Sequence, residues 1–526
     1  MRKTIGFKFI SILVIGILLL TACSSNSTSS SISDDKSGGE NPVKDRGNEI
    51  VIGVGTEPQN WDPIDTFRLD WSTVMTSVYE GLVKRTVDLE IQPGLATEWE
   101  YLDDNTLQFK LREGVVFHDG EPFNADAVKF TFDRLLGEEG GKGPQQANYT
   151  SIDHVEVVDD YTVNFIMKTK DPVIITKLAG YGAVIVPPKY IEEKGDEFFN
   201  NNPVGTGPFK LTAYESNNKV VLEKNPDYWQ AELPKLDKVT FRIIPESATR
   251  LAELQTGKID IMKKVEVSQA DTVKNSSFLD LMEVGTPTAN AIRFDLNEKP
   301  TDDIRVRQAI NYAIDKQALI DEILSGYGKP IASFQSELSF GNNPDLEPYP
   351  YDPEKAKELL QEAGVAEGTE LDFYISGTDA TFKEIAQAVA FFLEQVGLKA
   401  NINSVDSNTL GTELIPQGNA GHMWQQGWGG WTLDFDNTAY LMYHEGEYYN
   451  PTFKDDKVEE LLTAERTTVD QEERENIFME LTERIYELTP EVPLYSTVDL
   501  YAVNKRVKNF QPPHDDRMFL ENVTVE

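Results

Sequence analysis

The chain has 526 residues, too many for one ordinary domain and enough for two or three with full cores. Its 88 acidic against 49 basic side chains leave a net charge of −39, which argues against nucleic acid or an anionic lipid surface as partner, since both demand clustered Lys and Arg. The single cysteine, Cys23, excludes an intramolecular disulfide and any cysteine-based metal site.

Arg2, Lys3 and Lys8 form a basic start to the apolar run Ile10 to Leu20, which is short of the roughly 20 residues a membrane-spanning helix needs. Leu20-Thr21-Ala22-Cys23 has the form of a bacterial lipoprotein signal: a leucine and two small residues before the cysteine that receives diacylglycerol. The expectation is a signal peptide over 1–22, lipid attachment at Cys23, and a disordered linker of Ser, Asn, Thr, Gly and Asp to residue 48. About 25 flexible residues reach roughly 25–30 Å, so the body would be held by its lipid at the extracytoplasmic face of the cell membrane.

Ile50 to Val54 reads as a β-branched first strand running into the extended loop Gly55 to Pro63. An amphipathic helix is predicted through Val74, Val78 and Tyr79. Leu95–Glu100 and Leu107–Leu111 alternate with period two around an Asp103-Asp104-Asn105 turn, and Asn124 caps a helix from Ala125 to Leu136. Val204 to Phe209, with two glycines and a proline, marks a crossing between domains. One helix is expected around Arg307, burying Ala309, Ile310, Ala313, Ile314 and Ile320 and ending at Gly326, with Arg305 and Arg307 holding carboxylates of neighbouring elements. Asp352 and Pro353 supply the N-cap and first position of another. Leu371–Ile375, a helix over Phe382 to Val396, and Leu398–Ile402 form a β-α-β pattern and hence a parallel sheet. After further helices at 457–462 and 472–488, strands are expected at 492–496 and 500–503.

Three of the seven tryptophans, Trp424, Trp428 and Trp431, lie within eight residues, separated by glycines and followed by Asp434, Asp436 and Asn437. Large rings beside glycine make poor helix, and apolar walls next to a few polar groups are what a small-molecule pocket requires. The alternative is packing by the tryptophans and solvated turn carboxylates. Enzyme motifs are missing. None of the five histidines sits in His-Glu-x-x-His, no Gly-x-Ser-x-Gly elbow occurs, and Gly140–Gly143 lacks the rest of a phosphate-binding loop. No catalytic residue, metal or cofactor is expected.

Several blocks together resemble the extracytoplasmic solute-binding proteins of family 5, which serve peptide- and nickel-type ABC importers. They are Tyr79-Glu80-Gly81-Leu82, Gln92 to Ala96, Leu111 to Gly120, Phe123 to Val128, Val204 to Phe209, Asn225 to Trp229, Arg250 to Leu254, Gly257 to Asp260, Phe294 to Asn297, and Ile304 to Ile310 with Ala313-Ile314-Asp315. The resemblance implies an α/β periplasmic-binding-protein-like fold: two large lobes with a hinge, an extra subdomain in the N-terminal lobe, and the ligand enclosed between lobes. On that pattern lobe I would comprise 49–70, 203–287 and 497–526, the subdomain 71–202 and lobe II 288–496. The implied function is capture of an oligopeptide or dipeptide by lobe closure and delivery to the permease subunits of an ABC importer, with a cytoplasmic ATPase behind them, by a monomer.

The resemblance carries residues over as well. Gly55-Thr56-Glu57 matches the loop whose acidic residue lies near the ligand, and Trp431-Thr432-Leu433-Asp434 matches a Trp-x-x-Asp whose carboxylate takes the ligand's α-ammonium, with Asp436 as the alternative. Trp428, Trp431 and Trp424 would line the pocket. Two arginines of the family pattern are missing: Trp428 stands at one position, and Ser376 to Thr381 contains no arginine. An oligosaccharide stacked on the tryptophans, or a metal chelate, is therefore kept open within the family, and a secreted hydrolase outside it.

Overall fold

The computed structural model describes residues 46–66 and 68–526; the expected signal peptide, Cys23 and most of the linker lie outside them. An eleven-stranded mixed sheet runs through the molecule. Its strands in chain order are β1 (Glu49–Val54), β2 (Phe209–Glu215), β3 (Lys219–Lys224), β4 (Lys238–Ile243), β5 (Ile261–Lys263), β6 (Leu279–Phe294), β7 (Gly328–Pro330), β8 (Thr369–Ser376), β9 (Leu398–Val405), β10 (Met423–Trp428) and β11 (Glu491–Asn504). The spatial order is β9-β8-β10-β6-β11-β5-β1-β4-β3-β2, with β7 added along β11.

Two strands carry this continuity. β6, of 16 residues, and β11, of 14, pair antiparallel from Leu279↔Asn504 to Arg293↔Glu491. Their ladder shifts register between Gly285 and Ala289, where Pro287 has no N–H to donate. The strands predicted at 492–496 and 500–503 are thus one strand, since its apolar faces change neighbours without the backbone breaking. On the β1 side of the shift the core contains Ile50, Ile52, Phe241 and Tyr501; on the β8 side it contains Phe294, Ile310, Phe373 and Val389. The β-α-β pattern holds, with β8 parallel to β9 over Thr369↔Leu398 to Ser376↔Val405 and the helix Ala380–Gln395 between them.

A four-stranded antiparallel sheet stands apart, built from Ala96–Asp103, Thr106–Leu111, Thr162–Met167 and Ile152–Asp159 in that spatial order. The helix Ala125–Leu136 belongs to its core, and the Asn124 side chain accepts from the Ala127 N–H as its cap.

Other expectations need correction. The helix through Arg307 is two helices, Ile304–Ala313 and Lys316–Ile323, because Ile314 turns extended and the Asp315 carboxylate caps the second by accepting from the Ala318 N–H. Arg307 holds no carboxylate: its guanidinium donates to the carbonyls of Thr301, Asp302, Leu488 and Thr489. Arg305 pairs with Asp303 of its own helix cap. The early helix is Leu69–Met75, so Val78 and Tyr79 lie past its end. No helix among the described residues is long and apolar enough to cross a membrane.

Candidate functional site

The Trp-Gly stretch leaves the sheet where β6 and β11 shift register. Trp428, the last residue of β10, pairs with Ala289, and a Cβ on Gly429 would stand 2.9 Å from Thr288 Oγ1. Glycine is required there because the chain passes directly over β6. Leu433 then turns through φ +58° and Asp434 opens the helix Phe435–Tyr443.

Residues remote in sequence hold this turn. Arg85, buried and close in sequence to the four-stranded sheet, donates to the carbonyls of Trp431 (3.2 Å) and Thr432 (2.5 Å) and lies 3.5 Å from Asp515. Burial, then the neighbouring Arg517, pull Arg85 down to about 10, so it is charged at neutral pH. The Trp431 ring rests on Gly180, where a Cβ would lie 2.4 Å from Trp431 Cζ3. Arg85, Gly180 and the supporting Lys177 carry no local pattern that marks them from sequence. The glycine is legible only once its neighbour is known.

Asp434 and Asp436 are deeply engaged. Asp434 caps its helix by accepting from the Asp436 N–H, and both its oxygens receive the Arg474 guanidinium, at 2.5 and 2.7 Å. Arg474 is wholly buried and also donates to Glu465 at 2.8 Å. Asp436 Oδ1 accepts from Arg466 Nε at 2.5 Å, and the Arg466 guanidinium covers the Tyr440 ring. Burial and the facing Asp436 push Glu465 up to about 10, so it keeps its proton at neutral pH. Two carboxylates then balance two guanidiniums, the condition under which buried charge is tolerated.

The remaining predicted site residues are spread out. Trp424 is buried with Leu410, Ile415 and Ala420, and its N–H donates to Gln426 Oε1 at 3.2 Å. Trp428 packs on Tyr449 with ring centroids 5.3 Å apart, and its buried N–H has no acceptor among the described residues. Glu57 accepts from Ser216 Oγ at 2.9 Å and from the Asn217 N–H, tying the loop after β1 to the β2–β3 turn. It does not line the cavities beside Trp431.

Two cavities flank the turn. One, of about 400 Å³, lies among Arg85, Tyr101, Ile175, Phe340, Leu433 and Asp434. The other, of about 650 Å³, is lined by Lys170, Lys177, Trp431, Asp436, Asn437 and Arg466. Both fall in the size range of small-molecule pockets, roughly 300–1,000 Å³. Among the described residues, no group of three or more His, Cys, Asp and Glu side chains is arranged to hold a metal ion; His444 instead faces Glu459 and stacks on Tyr440.

Three of the sequence blocks meet at Glu80, whose carboxylate accepts from Thr206 Oγ1 (2.9 Å), Tyr228 Oη (2.9 Å) and Trp229 Nε1 (3.0 Å). Burial outweighs these donors and raises Glu80 from 4.5 to about 7. A raised acid makes the folded state the better proton binder, so its stabilising contribution is full below about pH 4.5 and lost as pH rises to about 7. The stability of the native chain relative to Glu80→Gln should therefore fall by on the order of 3 kcal/mol across that window. Urea unfolding at intervals of pH measures it, and a difference independent of pH would contradict the assignment.

The family described as bacterial extracellular solute-binding proteins, family 5 Middle, matches residues 90–450. The glutathione-binding protein GsiB of Pectobacterium atrosepticum is 31% identical over 486 residues, covering 91% of this chain and 94% of that protein. Among solved structures, HbpA2 of Haemophilus parasuis aligns with a TM-score of 0.83 at 25% identity, over 91% of this chain and 100% of that one. DppA of Helicobacter pylori, an ABC transporter-associated periplasmic binding protein in complex with the peptide STSA, aligns with a TM-score of 0.74 at 25% identity, over 91% of this chain and 98% of that one.

Proposed function

The chain belongs to the family 5 bacterial extracellular solute-binding proteins, and on that premise we propose that it captures a dipeptide or oligopeptide between its two lobes, the four-stranded sheet belonging to the first, and presents it to a membrane permease. It is the extracytoplasmic binding component of an ABC importer for peptide-like solutes, and its family is not catalytic. The observation that carries the finer reading is the turn from Trp431 to Asp436. It leaves the β8 side of the sheet and meets Arg85 and Gly180, whose chain neighbours pack in the core of the four-stranded sheet, with cavities of about 400 and 650 Å³ on its two sides. A solute in these cavities touches both the four-stranded-sheet region and the β8 side of the main sheet, and so favours the closed arrangement of a pre-existing equilibrium.

Within this reading Trp431 is a pocket wall and Asp436 with Asn437 offers acceptors in the larger cavity, while Trp428, packed on Tyr449 with its N–H buried, backs the turn without lining either cavity. Asp434, with both oxygens on Arg474, holds the turn in place. Glu57 and Trp424 likewise support the framework. Cys23 anchors the monomer to the membrane by its lipid, and the permease with its ATPase completes the importer. Native mass spectrometry of the protein as purified tests the ligand class: retained masses forming a peptide ladder are expected, and a hexose spacing would overturn peptide as the solute.

A further inference from the structure

β1 is hydrogen-bonded in parallel to β4 on one side and to β5 on the other. The chain leaves β1 toward the side of β4, and the next connection, from β4, crosses past β1 to β5 on the other side, which makes the carboxyl end of β1 a topological switch point, where open α/β sheets bind their ligands. A cavity of about 450 Å³ lies there, bringing Arg68, Arg250, Lys263 and Lys264 together with only Asp70 and Asp516 as acids. A net positive cavity in a chain of charge −39 is the reverse of its surroundings.

The pairing within it is incomplete. Arg68 meets Asp70 at 2.5 Å, and Lys263 meets Asp516 at 2.5 Å and Thr73 Oγ1 at 2.6 Å. Lys264 stands farther off, 3.8 Å from Asp499 and 3.9 Å from Asp516. Arg250, only 6% exposed, contacts no carboxylate among the described residues; its Nη1 donates to the carbonyls of Ile244 and Pro245 and its Nη2 to that of Lys264 at 3.5 Å, while its buried Nε has no acceptor among them. A Cβ at Gly55 would approach Nη1 to 3.2 Å, so glycine keeps the chain close to the guanidinium. Burying a cation without a counter-ion costs several kcal/mol, and a carboxylate is an anion that guanidinium and ammonium groups bind strongly. The cavity is connected to the turn described above through the chain, since Asp516 lines it while its neighbour Asp515 meets Arg85, the residue that holds the Trp431 and Thr432 carbonyls.

We infer that this cavity receives a side-chain carboxylate of the bound solute, so that the protein selects acidic peptides. The inference rests on the peptide reading above and specifies its substrate class. Matched tripeptides that differ only in Glu against Gln, titrated calorimetrically into the full-length protein at low salt, test it. The Glu member of at least one pair should bind at least about tenfold tighter (about 1.4 kcal/mol). Replacing Arg68 and Lys264 together by glutamine, side chains 45% and 55% exposed, should reduce that ratio below about threefold, with circular dichroism unchanged from the native chain. Equal affinities within every pair, or a ratio unaltered by the double substitution, overturn the inference while the peptide reading stands. Binding of no tripeptide overturns the peptide reading itself.

Discussion

Arg474→Met should lower folding stability by about 3–5 kcal/mol, the range for removing one partner of a buried ion pair. The guanidinium is wholly buried, donates to both oxygens of Asp434 at 2.5 and 2.7 Å, and reaches Glu465 at 2.8 Å. Methionine fills much of the space but leaves the Asp434 carboxylate among Phe340, Phe478 and the start of its own helix, with no cation in reach. Asp434→Asn is the milder companion, since the amide oxygen still caps the helix and accepts from Arg474, and a loss of about 1–3 kcal/mol is expected. Urea unfolding of both variants, read beside peptide affinity, separates two roles for Asp434. A framework role lowers stability in both, with affinity following only as the turn loosens. A direct role in holding an ammonium group would show as lost affinity in Asp434→Asn at unchanged stability, and that result would falsify the assignment made here.

The same residues show what a sequence can and cannot disclose. Asn124 before Ala125, and Asp352 with Pro353, define helix starts within four residues of chain, and both caps are present, each side chain accepting from the backbone N–H three residues on. The alternation in β8 and the helical spacing after it are equally local, and their parallel pairing follows from the connection. At Asp315 the apolar spacing of Ile310, Ala313, Ile314 and Ile320 continues across the cap that the structure shows, and so suggests one helix where two exist. Partner identity is not local at all. Asp434 is separated from Arg474 by 40 residues, and Arg85 from the Trp431 carbonyl by 346. Composition marks the ten residues from Trp428 to Asn437 as a candidate site segment, but whether Asp434 faces a solute or a buried arginine depends on a helix that composition does not connect to it.

Glycine at position 180 is the second residue where a small change should have a large effect. A Cβ there would stand 2.4 Å from Trp431 Cζ3 and 2.8 Å from the Lys177 carbonyl, both below any contact a real Cβ tolerates. In Gly180→Val the indole must retreat, and the Arg85 bonds to the Trp431 and Thr432 carbonyls move with it. Gly180 lies just past the short helix Ile174–Leu178, away from the long strands β6 and β11, so in the proposed closure the cost falls on the approach of the two lobes rather than on either lobe alone. A closure penalty of about 3 kcal/mol translates into roughly hundredfold weaker solute binding. Small-angle scattering should show the variant failing to contract at a peptide concentration that just saturates the native chain, while its circular dichroism stays that of the native chain. Gly180→Ala adds only the Cβ and should give the same change at smaller amplitude. Native affinity in the valine variant would mean that Trp431 does not rest on Gly180 when solute is bound, and the cavities beside that turn would then no longer account for its capture.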